Sequence, residues 1–184
     1  MLGAQNTSFK SAEQAAVTTH FLSCSIPSLL AVMPTGGGKT IMFALPTFTE
    51  QGTSVITLVL LPFRGLAVSH LANLEWYKVS SVYYQGETEL AKLLLQQPNI
   101  IIMTYNTFVG AIAKHDLRGI NVQRVVIDEA HTIHTDASWR VVMEVVGPSV
   151  VKLGCPFLLL TGTLPVHSES SLLHQFYPSP VAIV

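Results

Sequence analysis

The sequence predicts an α/β fold, a mainly parallel sheet with helices on both faces, and three observations lead there. Short apolar runs alternate with segments of helical period along the chain, the order from which parallel βαβ units are built. The runs are continuously apolar, as in Val55-Ile56-Thr57-Leu58-Val59-Leu60-Leu61, which suits strands covered on both sides rather than strands with one wet face. Residues able to do chemistry follow three of these runs directly: a glycine loop, Asp128 and Thr161. Open α/β sheets bind ligands beyond the carboxyl ends of their strands.

Residues Ser11 to Ser23 read as a first helix, with Ser8 or Ser11 as its cap. Leu29 to Val32 is the first strand, and a helix follows the glycine loop from about Lys39. Ser54 to Leu61 is the second strand, stopped by Pro62, and Arg64 to Trp76 offers helical spacing through Leu66, Leu71 and Leu74. Val79 to Tyr84 is a third strand ended by Gln85-Gly86, and Glu87 to Gln97 a helix with Leu90, Leu93 and Leu94 inward. Asn99 to Met103 is a fourth strand, with a helix from about Asn106. Gln123 to Ile127 is a fifth, ending at Asp128. Ser138 to Val146 is predicted helical up to a break at Gly147-Pro148. Phe157 to Leu160 is a sixth strand ending at Thr161, and a helix (Ser168 to Phe176) and a short strand (Val181 to Val184) complete the chain.

A chain of 184 residues suits one domain, taken as residues 1–184. Hydrophobic residues make up 49% and charged residues 11%, against a usual charged share of about a quarter. That balance argues against disorder and predicts apolar surface covered by a partner domain. A formal charge of −1 gives no bulk electrostatic case for nucleic acid, so any such binding rests on local patches or a second domain. No apolar run reaches the roughly 18 residues that cross a bilayer, and the N-terminus lacks the layout of a secretory signal. The expectation is a soluble intracellular protein with no membrane partner. Cys24 and Cys155 stand far apart without CxxC spacing, which predicts two reduced thiols.

The stretch Met33-Pro34-Thr35-Gly36-Gly37-Gly38-Lys39-Thr40 lies between an apolar run and a helix, the context a phosphate-binding loop requires. Consecutive glycines let backbone N–H groups turn inward around an anion, and a helix N-terminus adds partial positive charge there. Lys39 can reach the β- and γ-phosphates of a nucleotide, and the Thr40 hydroxyl can ligate Mg²⁺. Met33 stands where the strict pattern wants a glycine. Asp128-Glu129-Ala130-His131 leaves the fifth strand without a gap. Two adjacent carboxylates there are costly unless a cation or a proton network satisfies them, and Mg²⁺ bound with ATP would supply that compensation on the Asp128 side. Glu129 is then the general base that polarises the attacking water. Taken alone, the same residues also suit an acidic turn capping the next helix.

Together, Pro34 to Thr40, Asp128-Glu129-Ala130-His131 and Thr161-Gly162-Thr163-Leu164-Pro165 resemble motifs I, II and III of superfamily-two helicases. Phe9-Lys10-Ser11-Ala12-Glu13-Gln14 is similar to an element that precedes the first strand in RecQ-like enzymes, particularly divergent fungal ones. The resemblance covers nearly the whole chain and implies a RecA-like P-loop NTPase domain, the first of two in a 3′-to-5′ DNA helicase, with ATP and Mg²⁺ as cofactors. It implies that Gln14 reads the adenine edge with Lys10 beside it. His131 would couple hydrolysis to the neighbouring domain, and Thr161 and Thr163 would link motif II to nucleic-acid binding. Pro62-Phe63-Arg64-Gly65-Leu66 resembles motif Ia, so Arg64 is a candidate phosphodiester contact, and Thr104 stands at a second such turn. Trp139 and Arg140 occupy the place of an aromatic-rich loop that senses single-stranded DNA, here without its earlier aromatic. Gly162 replaces the alanine usual in motif III.

The resemblance also implies a nuclear protein and single-stranded or 3′-tailed DNA as partner. No second RecA-like domain follows Val184, so the chain is expected to bind Mg-ATP, hydrolyse it slowly and unwind nothing alone. The alternatives are a DExH RNA helicase domain, or a nucleotide-binding module decayed from a helicase.

Overall fold

The computed structural model describes residues 9–23, 28–34, 36–50, 53–86, 90–132, 137–165, 167–177 and 181–183. Within them the elements run α1 (Ala12–Ser23), β1 (Ser28–Val32), α2 (Lys39–Thr49), β2 (Val55–Leu61), α3 (Arg64–Trp76), β3 (Ser81–Tyr83) and α4 (Leu90–Leu94). There follow β4 (Ile100–Thr104), α5 (Tyr105–Ala113), β5 (Asn121–Ile127), α6 (Ala137–Leu153), β6 (Phe157–Thr161), α7 (Glu169–His174) and β7 (Ala182–Ile183). The strands form one seven-stranded sheet in the order β3-β4-β2-β5-β6-β1-β7. Every pairing is parallel.

Period-two alternation sorts the strand residues into two cores, one on each face of the sheet. Along β2, Val59 and Leu61 join Val17, Phe21, Met42, Phe43 and Leu74 of α1, α2 and α3. Leu58 and Leu60 join Phe108, Met143, Val146 and Leu172 of α5, α6 and α7. The continuous apolar runs are therefore the signature of a sheet buried on both sides, and the predicted α/β architecture holds.

Three local expectations change. The α6 helix does not stop at Gly147-Pro148 but runs through both to Leu153. A proline inside a helix costs about 3 kcal/mol, whereas fully burying a Met or Val side chain contributes about 1.5–3 kcal/mol. Met143, Val146 and Val150 are all 0% exposed, so the buried stripe outweighs the penalty. Glu144, whose carbonyl loses the bond, and Pro148 both lie on the exposed side, where water can satisfy that carbonyl. The α4 helix stops short of Gln97: among the described residues it spans Leu90–Leu94 and is followed by turns ending at Gln97, which has φ +50. Residues 87–89 lie outside the described set, as do Ser8, Cys24 and Val184. On α3 the buried residues are Ala67, His70 and Leu74, with Leu66 and Leu71 at the flanks.

Of the two expected caps, Ser11 serves α1, since its Oγ accepts from the Gln14 backbone N–H at 3.2 Å. Cys155 is half-buried and in no disulfide among the described residues. No described helix is long and apolar enough to cross a membrane.

Candidate nucleotide-binding and hydrolytic site

β6 lies between β1 and β5 in the sheet, and its carboxyl end ties the two candidate loops together. The Met33 N–H donates to the Thr161 carbonyl at 2.8 Å, and the Ala130 N–H donates to the Leu160 carbonyl at 2.9 Å. The glycine loop and the Asp128-Glu129 turn thus leave the sheet at the same edge, about two strand spacings (roughly 10 Å) apart. That gap is within reach of one lysine side chain.

Met33 explains its own departure from the glycine pattern. It is 3% exposed, packs into the core under α1 and α2, and continues the β1 pairing one residue further. An extended strand residue needs no positive φ, so a side chain fits there. The glycines that follow do need theirs: Gly36 and Gly38 have φ of +78 and +80. At Gly38 a Cβ would also lie 2.4 Å from Gln14 Nε2. Thr35 lies outside the described residues.

Lys39 begins α2 and crosses the gap. Its Nζ donates to Glu129 Oε1 at 2.9 Å and stands 3.9 Å from Asp128 Oδ1. Asp128 is 2% exposed, and its Oδ1 accepts from the Glu129 backbone N–H at 2.9 Å. Its other oxygen, Oδ2, lies 2.9 Å from His70 Nε2, while Thr40 Oγ1 lies 3.2 Å from His70 Nδ1. A carboxylate can only accept, so Nε2 carries the proton, and in the neutral imidazole Nδ1 accepts from the Thr40 hydroxyl. Thr40 and Asp128, the two residues expected to hold a metal, are hard oxygen donors of the kind Mg²⁺ takes, and one histidine spans them.

His70 escaped the sequence reading, although a signal was present. Ala67, His70, Leu71 and Leu74 fit the i, i+3, i+4, i+7 stripe, and that stripe carries a polar ring inward beside the carboxylates. Tyr105 was missed as well. Its hydroxyl donates to the Asp128 carbonyl, and its ring is fully buried. Burial first, then the charge of Asp128, pushes its phenol well above the ordinary range; a hydrogen bond with Thr132 opposes this and the Glu129 charge adds to it.

The motif II to motif III contact is direct. Thr161 Oγ1 donates to the Thr163 carbonyl at 2.6 Å. That hydroxyl therefore accepts from His131 Nδ1, 2.8 Å away. The same nitrogen is 3.3 Å from Glu129 Oε2. Thr163 takes part through its backbone, and its side chain is exposed.

Gln14 is 3% exposed and closes over the glycine loop. Its Nε2 donates to the Gly37 and Gly38 carbonyls at 3.1 and 3.2 Å, and its Oε1 accepts from the Lys10 N–H at 2.7 Å. Lys10 Nζ donates to the Gly36 carbonyl at 3.0 Å. Both residues reach the loop, and in this arrangement the Gln14 amide is spent on it. The surface candidates divide. Arg64 and Arg140 are exposed. Trp139 is half-buried between the rings of Phe63 and Tyr105. Thr104 is 7% exposed and caps α5, its Oγ1 accepting from the Thr107 N–H at 3.2 Å, so its hydroxyl serves the helix start.

Residues 11–171 match the model of the DEAD/DEAH box helicase family. The chain is 28% identical over 149 residues to the ATP-dependent DNA helicase hus2/rqh1 of Schizosaccharomyces pombe, a match covering 72% of this chain and 11% of that protein. It is 31% identical over 116 residues to the RecQ-like DNA helicase BLM of Xenopus laevis, covering 55% of this chain and 8% of that one. With the ATP-dependent DNA helicase RecQ of Bacillus subtilis it shares 29% over 110 residues, 55% of this chain and 18% of the other. The chain thus spans less than a fifth of the length of each of these relatives. Among solved structures, the DUF1998 helicase MrfA bound to DNA superposes with a TM-score of 0.74 at 21% identity, covering 94% of this chain and 27% of that one. The DEAD-box helicase Mss116 bound to ssRNA and UDP-BeF gives 0.75 at 21%, covering 94% and 39%. Fold, loop and acidic turn agree with the family match, and the chain belongs to the DEAD/DEAH box helicase family.

Proposed function

We propose that this chain is the ATP-binding and ATP-hydrolysing domain of a RecQ-like DNA helicase, and that its site works with Mg-ATP. The observation that carries the reading is the convergence of Lys39, Thr40, Asp128 and Glu129 at one sheet edge. The glycine loop receives the phosphates with backbone N–H groups, and Lys39 neutralises the β- and γ-phosphates. Thr40 and Asp128 would hold Mg²⁺, which when bound would offset charge on the phosphate oxygens. Glu129 accepts the proton of the attacking water. Gln14 and Lys10, already on the loop, turn toward the adenine. His131 and Thr161 carry the state of the Glu129 turn to motif III. Arg64, Trp139 and Arg140 lie on the side of the domain that meets nucleic acid.

The RecQ assignment draws on relatives named as RecQ-type DNA helicases. In an intact enzyme a second RecA-like domain supplies an arginine, worth about 10³–10⁵ in rate in phosphoryl transfer. In this reading the domain alone turns over slowly, and 3′-to-5′ movement on DNA belongs to the whole protein. Calorimetry with Mg-ATP tests the site, with Lys39→Ala as control. Saturable magnesium-dependent binding that the substitution abolishes is expected. A folded protein that does not bind, or a variant that binds as the parent does, overturns the reading. Stimulation of turnover by single-stranded DNA but not RNA tests the RecQ branch, and the reverse result moves the chain to the RNA helicases.

A further inference from the structure

The Asp128-Glu129 turn holds an expensive backbone conformation, and one contact outside motifs I to III fixes it. Glu129 has φ +51, a left-handed position that costs a non-glycine residue of order 1–3 kcal/mol and persists only where its surroundings impose it. The peptide joining Asp128 to Glu129 is gripped at both ends. Its N–H donates to Asp128 Oδ1 at 2.9 Å, and its carbonyl accepts from the Tyr105 hydroxyl. On the far side of the turn the Thr132 N–H donates to the Glu129 carbonyl at 3.0 Å. Tyr105 is the first residue of α5, set by the Thr104 cap, so its hydroxyl comes from a rigid element on a different strand end.

Tyr105 also connects outward. Its ring meets Trp139 edge to face, with centroids 5.6 Å apart at 85°, and Trp139 meets Phe63 in the same way at 5.5 Å and 85°. Phe63 is 54% exposed and directly precedes Arg64. Three rings therefore run from the peptide behind the proposed base to the surface of the domain. Aromatic contacts of this geometry have a preferred arrangement worth about 0.5–1.5 kcal/mol each, so displacement at one end disturbs the next ring.

We propose that Tyr105 is a positioning residue for Glu129, holding the peptide behind it, and that Trp139, whose ring packs on Tyr105, reports the state of that turn. The inference rests on the reading of the site as a nucleotide pocket with Glu129 as base. Tyr105 touches no reacting atom. Its effect is to fix the peptide plane from which the Glu129 side chain is aimed.

The chain has two tryptophans, Trp76 and Trp139, and Trp76 is 75% exposed on α3. In the full chain carrying Trp76→Phe, all tryptophan emission comes from Trp139. Titration with Mg-ADP is expected to change that emission saturably, at the affinity calorimetry gives. Adding Tyr105→Phe keeps the ring and removes the hydroxyl. It is expected to leave KM for ATP and the calorimetric affinity unchanged, to lower kcat about 2- to 10-fold as one positioning hydrogen bond is lost, and to remove most of the emission change. Normal Mg-ADP binding with silent Trp139 emission in the Trp76→Phe protein overturns this proposal alone, and needs no Tyr105 variant. Parental kcat in a folded Tyr105→Phe protein overturns it too. Absence of calorimetric binding overturns the nucleotide-site reading and this inference with it.

Discussion

The ammonium of Lys39 lies 2.9 Å from Glu129 Oε1 and 3.9 Å from Asp128 Oδ1. The cation proposed to hold phosphate and the carboxylate proposed to activate water are thus each other's partners. Under the proposed function, nucleotide binding moves the ammonium from carboxylate to phosphate, and the carboxylate is released for its role as base. Glu129→Gln removes the competing charge while keeping the shape. Mg-ATP affinity is expected to stay equal or become tighter, while turnover falls by about 10²–10⁴, the usual worth of a general base. Equilibrium binding of a fluorescent nucleotide and single-turnover hydrolysis check the two halves separately. Weakened binding would show that Glu129 aids the pocket rather than competing for Lys39.

The part of this site that sequence could supply is the part whose spacing is local. Lys39 and Thr40 follow their glycines directly, and Asp128 and Glu129 leave a strand directly, so motif chemistry was enough to single them out. What joins them is not local. The strand order that sets β6 between β1 and β5 decides that one lysine can span the gap, and no single segment encodes that order. His70 was passed over because a histidine in a helix carries no meaning until the helix is rotated onto its partners. Tyr105 carries no signal in the sequence, because its partner is a backbone carbonyl, which every residue has. The α6 break failed for a related reason: Pro148 is a local stop signal, and the buried stripe of Met143, Val146 and Val150 is a tertiary gain that exceeds it.

His70 gives a prediction of its own. Its ring bonds Asp128 Oδ2 at 2.9 Å and Thr40 Oγ1 at 3.2 Å, and the Asp128 side chain is only 3% exposed. His70→Ala leaves a buried carboxylate oxygen without that donor, which costs about 1–3 kcal/mol. Urea unfolding in the absence of nucleotide is expected to show a lower midpoint with an unchanged slope. An unmoved midpoint would mean that Asp128 finds another donor, most simply Lys39.

Far from the site, Arg124 is 3% exposed and holds Glu50 through two bonds, Nη1 to Oε2 at 2.8 Å and Nη2 to Oε1 at 2.6 Å. The guanidinium carbon lies 5.7 Å from the centre of the Phe21 ring, so the pair ties β5 and α1 to the end of α2, the helix that Lys39 begins. Glu50→Ala strands a buried cation and is expected to cost about 3–5 kcal/mol, whereas replacing both partners by apolar residues costs much less. Thermal or chemical unfolding of Glu50→Ala against the double variant Glu50→Leu/Arg124→Met decides this. Equal losses would show that packing, not charge, governs the site.

Alkaline stability should depend on Tyr84. Its hydroxyl donates to Asp116 Oδ2 at 2.8 Å. Burial first, and then the hydrogen bond to Asp116 and its charge, pushes the phenol up to about 12. The unfolded chain loses this proton near the ordinary value of about 10. Between the two values the folded state binds more protons than the unfolded one, so unfolding free energy falls as pH rises. The contribution is fully present below about pH 10 and is lost as pH climbs through about 12. Buried Tyr105 shifts in the same direction. Unfolding midpoints measured from pH 9 upward are expected to drop less steeply in Tyr84→Phe than in the parent, and parallel curves would remove Tyr84 from the account.

Gly147 in the middle of α6 is the remaining case, and here two effects of opposite sign compete. Replacing a helix-interior glycine by alanine ordinarily stabilises by about 1 kcal/mol. At this position the added Cβ would lie 2.1 Å from the Gln175 carbonyl oxygen and 2.8 Å from its carbon. That obstacle is backbone, and the adjoining residue Phe176 is 0% exposed and packs on Phe157 with ring centroids 5.0 Å apart. The segment therefore cannot move away without uncovering a core aromatic. Overpacking of this kind costs about 1–3 kcal/mol or more, which exceeds the propensity gain. Gly147→Ala is expected to lower the thermal midpoint, and Gly147→Ser to lower it at least as far. A raised midpoint in Gly147→Ala would show that the chain after α7 can lift away from α6, and that glycine is there for a reason other than this close approach.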